Sequence, residues 1–212
     1  MAQLYPIYLD LTDRPVLVIG GGAVASRKVA SLLERQIGVT VVAPEICSEL
    51  ESQADSPWLK IHRRAYESAD LADHWLVISA TDDSQLNRQI AADAASKRIF
   101  CNVVDQPALC TFQVPAVVRQ GLLQIAVSTS GASPALAAKI RRQLQEQFSP
   151  AYSQLLDGLL ELRRCFQQKY PDEPARRQEL VEAFLDSKAV DLLLKHSDLQ
   201  SFAVELEKWK SR

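Results

Sequence analysis

Gly20, Gly22 and Ala25 stand in the spacing Gly-x-Gly-x-x-Ala, which suits the pyrophosphate of a dinucleotide. The first glycine permits a tight turn, the second lets backbone approach phosphate, and Ala25 allows a helix to pack closely on a strand. A helix opening at this point adds N–H donors and the positive end of its dipole. The acid that usually ends the following strand and holds the ribose hydroxyls is missing between Val42 and Pro44, where Glu45 is the nearest candidate. With no arginine there for a 2′-phosphate, the pattern favours NAD over NADP. Two further stretches place polar groups after apolar runs. In Ser79-Ala-Thr-Asp82, Thr81 and Asp82 either border the nicotinamide ribose or cap the next helix, and one residue can do both. In Asn102-Val-Val-Asp105, Asp105 is a carboxylate better placed for acid–base work than any histidine of the chain, or else it opens an ordinary Asx turn through Gln106 and Pro107. Cys47, Cys101, Cys110 and Cys165 form no C-x-x-C pair, and His62, His74 and His196 have no second ligand at helical spacing, so no structural metal is expected.

These groups need a scaffold that brings strand ends together, and the apolar pattern supplies one. Pro15 to Ile19 is a β-branched run that ends in three glycines, followed by the helix formers Ala23 to Arg35. Gly38 to Val42 is a second strand, with a helix expected over Glu45 to Gln53 before Pro57. Strands at Trp58 to His62, Trp75 to Ile78 and Ile99 to Val104, with a helix over Asp83 to Lys97, continue the alternation. The pattern predicts an α/β fold, a Rossmann-like parallel sheet covered on both faces. After Pro107 the alternation stops. Phe112 to Val118 and Leu123 to Ser128, joined across Arg119-Gln-Gly121, read as an antiparallel hairpin. Ser133 and Pro134 open a helix to about Gln147 with the stripe Leu136, Ile140 and Leu144. From Ser149 the chain is wholly helical: Leu155, Leu159 and Leu162 share one stripe, and a break at Pro171 to Pro174 precedes two or three shorter helices.

The chain has 212 residues, 47% of them hydrophobic and 24% charged, the balance of a folded globular protein. A net charge of -2 is too small for a protein that binds by neutralising nucleic-acid phosphates. The first ten residues lack the basic start and apolar run of a secretory signal, and no apolar run approaches the roughly 20 residues that cross a bilayer. With its four scattered cysteines the chain reads as cytoplasmic, with no nucleic acid and no membrane as partner.

Four motifs in order, Gly20-Gly-Gly-Ala-Val-Ala-Ser-Arg-Lys28, Ala80-Thr-Asp-Asp83, Phe100-Cys-Asn-Val-Val-Asp105 and Ala126-Val-Ser-Thr-Ser-Gly-Ala-Ser-Pro134-Ala-Leu-Ala137, carry a resemblance. Over about residues 1 to 150 the chain resembles the precorrin-2 dehydrogenase and sirohydrochlorin ferrochelatase family, in some proteins the N-terminal half of siroheme synthase. The resemblance implies a Rossmann NAD-binding domain at 1–112, a dimerisation segment at 113–148 that makes a homodimer, and a small all-α domain at 149–212. It implies NAD-dependent oxidation of precorrin-2 to sirohydrochlorin, in many members followed by insertion of Fe2+ to give siroheme, with one aspartate, here Asp105, required for both steps. Family cofactor contacts transfer by position to Ala23, Val24, Pro44 and Glu45, and join Gly20, Gly22, Thr81, Asp82 and Asn102 as the expected cofactor set. The substrate's carboxylates call for basic partners: Arg119, Lys139, Arg141 and Arg142 are candidates, or form a solvated helix face. Arg27 and Lys28, just after the glycine turn, are placed to reach a dinucleotide or to face solvent. A regulatory phosphoserine of some members corresponds to Thr129, between Ser128 and Ser130. With no methyltransferase domain after the tail, precorrin-2 is expected from another polypeptide. Two other classes stand beside this reading: an NAD-binding regulatory domain with no need of Asp105, and a sirohydrochlorin metal chelatase without dehydrogenase activity.

Overall fold

Val16-Leu-Val-Ile19 is buried along its whole length, as a strand covered on both faces must be. In the computed structural model, which describes residues 4–211, it is β1 (Val16–Ile19), the centre of a five-stranded parallel sheet. With β2 (Val39–Val42), β3 (Leu59–His62), β4 (Leu76–Ser79) and β5 (Phe100–Val103) the strand order is β3-β2-β1-β4-β5. Successive side chains of β1 point to opposite faces. Val16 and Val18 join Ala25, Val29 and Leu50 from α1 (Ala23–Leu33) and α2 (Ser48–Glu51), while Leu17 and Ile19 meet Ile90 and Ala94 from α3 (Ser84–Lys97). The chain reverses direction between β1 and β4, the point at which sheets of this order open a crevice at their carboxyl edge.

Two local expectations shift, each because backbone groups are engaged elsewhere. The helix expected from Glu45 begins only at Ser48, because Cys47 N–H donates to the Gly21 carbonyl (2.8 Å) and residues 44–47 run past the glycine turn instead of coiling. The strand expected from Phe112 begins at Ala116: the Phe112 carbonyl accepts from Asn102 Nδ2 (3.0 Å) and its ring packs edge-on to Phe100, which holds it beside β5. Residues 4–114 form one compact unit.

The second compact unit, residues 115–211, starts with the hairpin β6 (Ala116–Gln120) and β7 (Leu123–Val127). Its turn is Gly121-Leu122, shorter than the expected join Arg119 to Gly121 and beginning two residues later, with Gly121 at φ +58. Ser133 caps α4 (Pro134–Gln147), accepting from Leu136 N–H at 3.2 Å. Four helices follow, α5 (Ala151–Lys169), α6 (Pro174–Leu185), α7 (Lys188–His196) and α8 (Leu199–Lys210), around a core that includes Leu155, Leu162, Phe166, Phe184, Phe202 and Trp209. The apolar stripe of α4 is only partly covered: Leu136 is 49% exposed, and Ala137 is the helix's buried residue. No helix among the described residues is long and apolar enough to cross a membrane.

The irregular stretch after β3 is held by charge. Arg64 makes two bonds to Asp70, whose carboxylate also accepts from Glu67 N–H (2.9 Å). The Arg64 bond first, and then the Glu67 N–H, hold the Asp70 carboxyl below the usual carboxylate range against the opposing effect of burial. A depressed carboxyl stabilises the fold at pH above its unfolded value and loses that contribution as pH falls through its folded value. Asp70→Asn is therefore expected to lower the melting temperature at pH 7 and to shrink the stability lost between about pH 5 and pH 2. An unchanged acid limb would show that the pair does not contribute.

Candidate functional site

The strand register aligns four chain ends at one edge. Ile19 pairs with Val42 and Ser79, and Ser79 with Val103, so Gly20, Ala43, Ala80 and Val104 leave the sheet side by side. Every cofactor residue expected from sequence, apart from Asn102 within β5, lies on one of these four exits, and Asp105 lies on the fourth.

At the first exit the three glycines do different work. Gly20 has φ +117, and a Cβ there would lie 2.3 Å from the Ala80 carbonyl oxygen, so the turn is pressed against the exit of β4. A Cβ on Gly21 would lie 1.9 Å from the Glu45 carbonyl oxygen, which makes Gly21 the residue that lets the exit of β2 close on the turn. Sequence spacing passed over that glycine. Around Gly22 the opposite holds: an added Cβ meets nothing within 4 Å. Gly22 is the N-cap of α1 with no side-chain cap and no acid in the first turn, so the N–H groups of Gly22, Ala23 and Val24, at the start of an eleven-residue helix, have no partner among the described residues. Ala23 and Val24 form that first turn, and Ala25 is fully buried against the sheet. These features suit a pyrophosphate.

Beside this turn, toward β2 and α3, lies a cleft of about 390 Å³. Gly20, Pro44 and Thr81 line it, together with Tyr66, Gln85 and Gln89, which no motif signalled. Tyr66 is buried and donates to Asp93 Oδ2 (3.0 Å); burial first and that bond second push its ionisation up, so it stays a donor. No Lys or Arg lines the cleft. Glu45 and Asp82 are exposed and lie outside its lining. The helix cap is Asp83, not Thr81 or Asp82: its carboxylate accepts from Gln85 and Leu86 N–H at 2.8 and 3.1 Å. Beneath the exit of β4, buried Ser79 donates to Asn87 Oδ1 (2.6 Å) and Asn87 donates to the Thr81 carbonyl (3.0 Å), which fixes the loop.

At the last exit, Asp105 is the third residue of a turn closed by Gln106 N–H on the Val103 carbonyl (3.2 Å). Its φ is +60, a left-handed conformation that aspartate tolerates better than most residues. Its carboxylate is exposed and makes no hydrogen bond or ion pair among the described residues, so the turn is not the Asx turn that sequence allowed. The Asn102 amide is committed to Phe112 and positions the chain leaving β5.

In the second unit Arg119, Lys139 and Arg142 are exposed, while Arg141 bonds Gln145 along α4. Thr129 is half-buried with its hydroxyl engaged by the Ser133 N–H and carbonyl, both at 3.1 Å, whereas Ser128 and Ser130 are exposed. Among the described residues, no three His, Cys, Asp or Glu side chains gather to hold a metal ion.

The model of the putative NAD(P)-binding family matches residues 7–116, and that of the central region of sirohaem biosynthesis proteins matches residues 120–147. The siroheme synthase of Nitrosospira multiformis is 39% identical over 197 residues, 91% of this chain and 42% of that one. That of Ectopseudomonas mendocina is 43% identical over 175 residues, 82% of this chain and 37% of that one. The chain thus spans about two fifths of the length of these relatives. The structure of SirC, a precorrin-2 dehydrogenase, is similar over 97% of this chain and 100% of that one, with a TM-score of 0.75 and 27% identity. A parallel sheet with its switch point at a glycine turn, backed by an uncapped helix, defines an NAD(P)-binding protein of the Rossmann class. The strand β7 and the helix α4 that follow it carry the sirohaem central match, and the chain belongs to the family of precorrin-2 dehydrogenases and siroheme synthase N-terminal modules.

Proposed function

We propose that this protein oxidises precorrin-2 to sirohydrochlorin with NAD, and that it then admits Fe2+ to the product to give siroheme. The observation that carries the reading is Asp105, an exposed carboxylate held on a left-handed turn at the same sheet edge as the glycine turn. The names of the similar proteins, a precorrin-2 dehydrogenase and siroheme synthases, support it.

The residues present fit a dinucleotide. Backbone N–H groups at Gly22, Ala23 and Val24 would hold the pyrophosphate in the space that a Cβ on Gly22 would enter. The exit of β2 at Pro44 and Glu45 would meet the ribose through backbone, and a cleft lining without Lys or Arg favours NAD over NADP. Gly20 shapes the turn, and Thr81 borders the cleft. NAD, when bound, supplies the hydride acceptor. Oxidation of precorrin-2 also releases a proton from the macrocycle, and Asp105 is the base assigned to take it, a role worth roughly two to four powers of ten in rate. Iron is substrate: two pyrrole N–H protons leave as it enters, the same carboxylate serves them, and the ring nitrogens hold the metal. Arg119, Lys139 and Arg142 carry charge free for the substrate's carboxylates.

A second copy of the chain is the partner assigned to the hairpin and α4, where Leu122 and Leu136 are 58% and 49% exposed. Sedimentation equilibrium is expected to give twice the monomer mass, and a monomer at micromolar concentration would remove that assignment. The cytoplasmic setting belongs to the same proposal. The test of function is an anaerobic assay with enzymatically generated precorrin-2 and NAD that follows NADH and sirohydrochlorin together. Equal formation of both is expected. Iron insertion into ready-made sirohydrochlorin with no NADH from precorrin-2 would leave a chelatase; NAD binding with neither reaction would leave a regulatory domain.

A further inference from the structure

One sulfur ties both ends of the turn that presents Asp105. Cys110 Sγ accepts from Val103 N–H (3.2 Å) and lies 3.2 Å from the Val103 carbonyl and 3.4 Å from the Gln106 carbonyl. Val103 and Gln106 are the first and fourth residues of that turn, and the Asn102 amide stands 3.7 Å from the same sulfur. A thiol has one hydrogen, so it serves one carbonyl at a time while it accepts from Val103.

The arrangement follows from where β5 sits. As the last strand of the sheet it turns the N–H groups of Cys101 and Val103 outward, where no strand pairs with them. Residues 110–112 cover that edge: Thr111 Oγ1 accepts from Cys101 N–H and Thr111 N–H donates to the Cys101 carbonyl, both at 2.8 Å, and Cys110 serves Val103. The seal therefore reaches the turn only through Cys110. Left-handed backbone is less favourable than right-handed backbone for a non-glycine residue, so contacts around the turn help to keep it in this form. Cys101 has a different place: it is buried, and burial followed by the neighbouring Cys110 pushes its thiol up to about 11.

We propose that Cys110 is a positioning residue for Asp105, holding the turn in the form that presents the carboxylate and taking no part in proton or hydride transfer. The inference rests on the assignment of Asp105 as the base, and the test separates the two. Cys110→Ala removes the ties, whereas Cys110→Ser keeps a donor and an acceptor at nearly the same place. The alanine variant is expected to lose about tenfold to a hundredfold in precorrin-2 turnover, since misplacing a reacting group by an ångström costs on that order. It is also expected to shift the basic-group limb of the pH profile, to speed hydrogen exchange of the Gln106 amide, and to bind NAD as the wild type does. The serine variant is expected to recover most of the rate and the exchange protection. Wild-type turnover and wild-type Gln106 exchange in Cys110→Ala would overturn the proposal. So would a loss that follows the melting temperature and that serine fails to rescue. Asp105→Asn run in parallel assigns the failure: if it still turns over, the base assignment falls and takes this inference with it; if it is inactive while Cys110→Ala is normal, only the inference falls.

Discussion

Asp105→Asn should abolish precorrin-2 oxidation, lowering the rate by about 10²–10⁴-fold, the usual contribution of a positioned general base. NAD should still bind with a dissociation constant within about twofold of the wild type, because the glycine turn and the cleft beside it do not include Asp105. Asparagine is the informative substitution: it shares the tolerance of aspartate for the left-handed region, so a turn at φ +60 survives it, whereas alanine would confound loss of the base with loss of the turn. The carboxylate has no hydrogen bond to lose among the described residues, and stability should change by no more than about 0.5 kcal/mol, as for an ordinary surface position. Parallel loss of NADH formation and of iron insertion would fit one base for both reactions. Full oxidation by a folded Asp105→Asn protein would remove Asp105 from the mechanism.

How much of this was open to reading from sequence depends on whether a residue's task is local. The parallel sheet was legible because β-branched runs such as Val16 to Ile19 and Val39 to Val42 alternate with helix formers at fixed spacing, and the central strand β1 is buried on both faces as that composition demands. The site's position followed, since strand exits at a switch point form the crevice whatever residues stand there. Long-range detail was not legible. Nothing in the pattern near Phe112 says that its carbonyl will be taken by Asn102, ten residues away, which delays the start of β6. Tyr66 lines the cleft with its hydroxyl anchored to α3 through Asp93, 27 residues further on. Cys110 looked like one of four scattered thiols because its partners are backbone groups, which leave no mark in the sequence. The stripe on α4 is plain in the sequence, but apolar periodicity does not say whether its partner is the same chain or another.

The glycine turn gives the sharpest test, because the motif assigns Gly20 to the turn and Gly22 to the phosphate, and the geometry around the two differs accordingly. Gly20→Ala puts a methyl 2.3 Å from a carbonyl oxygen at φ +117, so it combines overpacking against backbone with a disallowed conformation and should cost about 3–5 kcal/mol. Much of that protein should be unfolded or misfolded, since such a loss is comparable to the whole stability of many domains. Gly22→Ala meets open space at φ -84, and its fold should hold within about 1 kcal/mol: the small gain from a stiffer unfolded chain offsets a poorer helix cap. Its NAD affinity should nevertheless fall about tenfold or more, 1.4 kcal/mol or so, as the methyl occupies the space assigned to phosphate. Calorimetric melting and NAD titration of the two variants read the two effects separately. If Gly22→Ala binds NAD as tightly as the wild type, the pyrophosphate does not lie at the start of α1, and the open space there needs another occupant. If Gly20→Ala melts like the wild type, the turn has relaxed away from Ala80, and the contact between the exits of β1 and β4 is not what shapes the crevice.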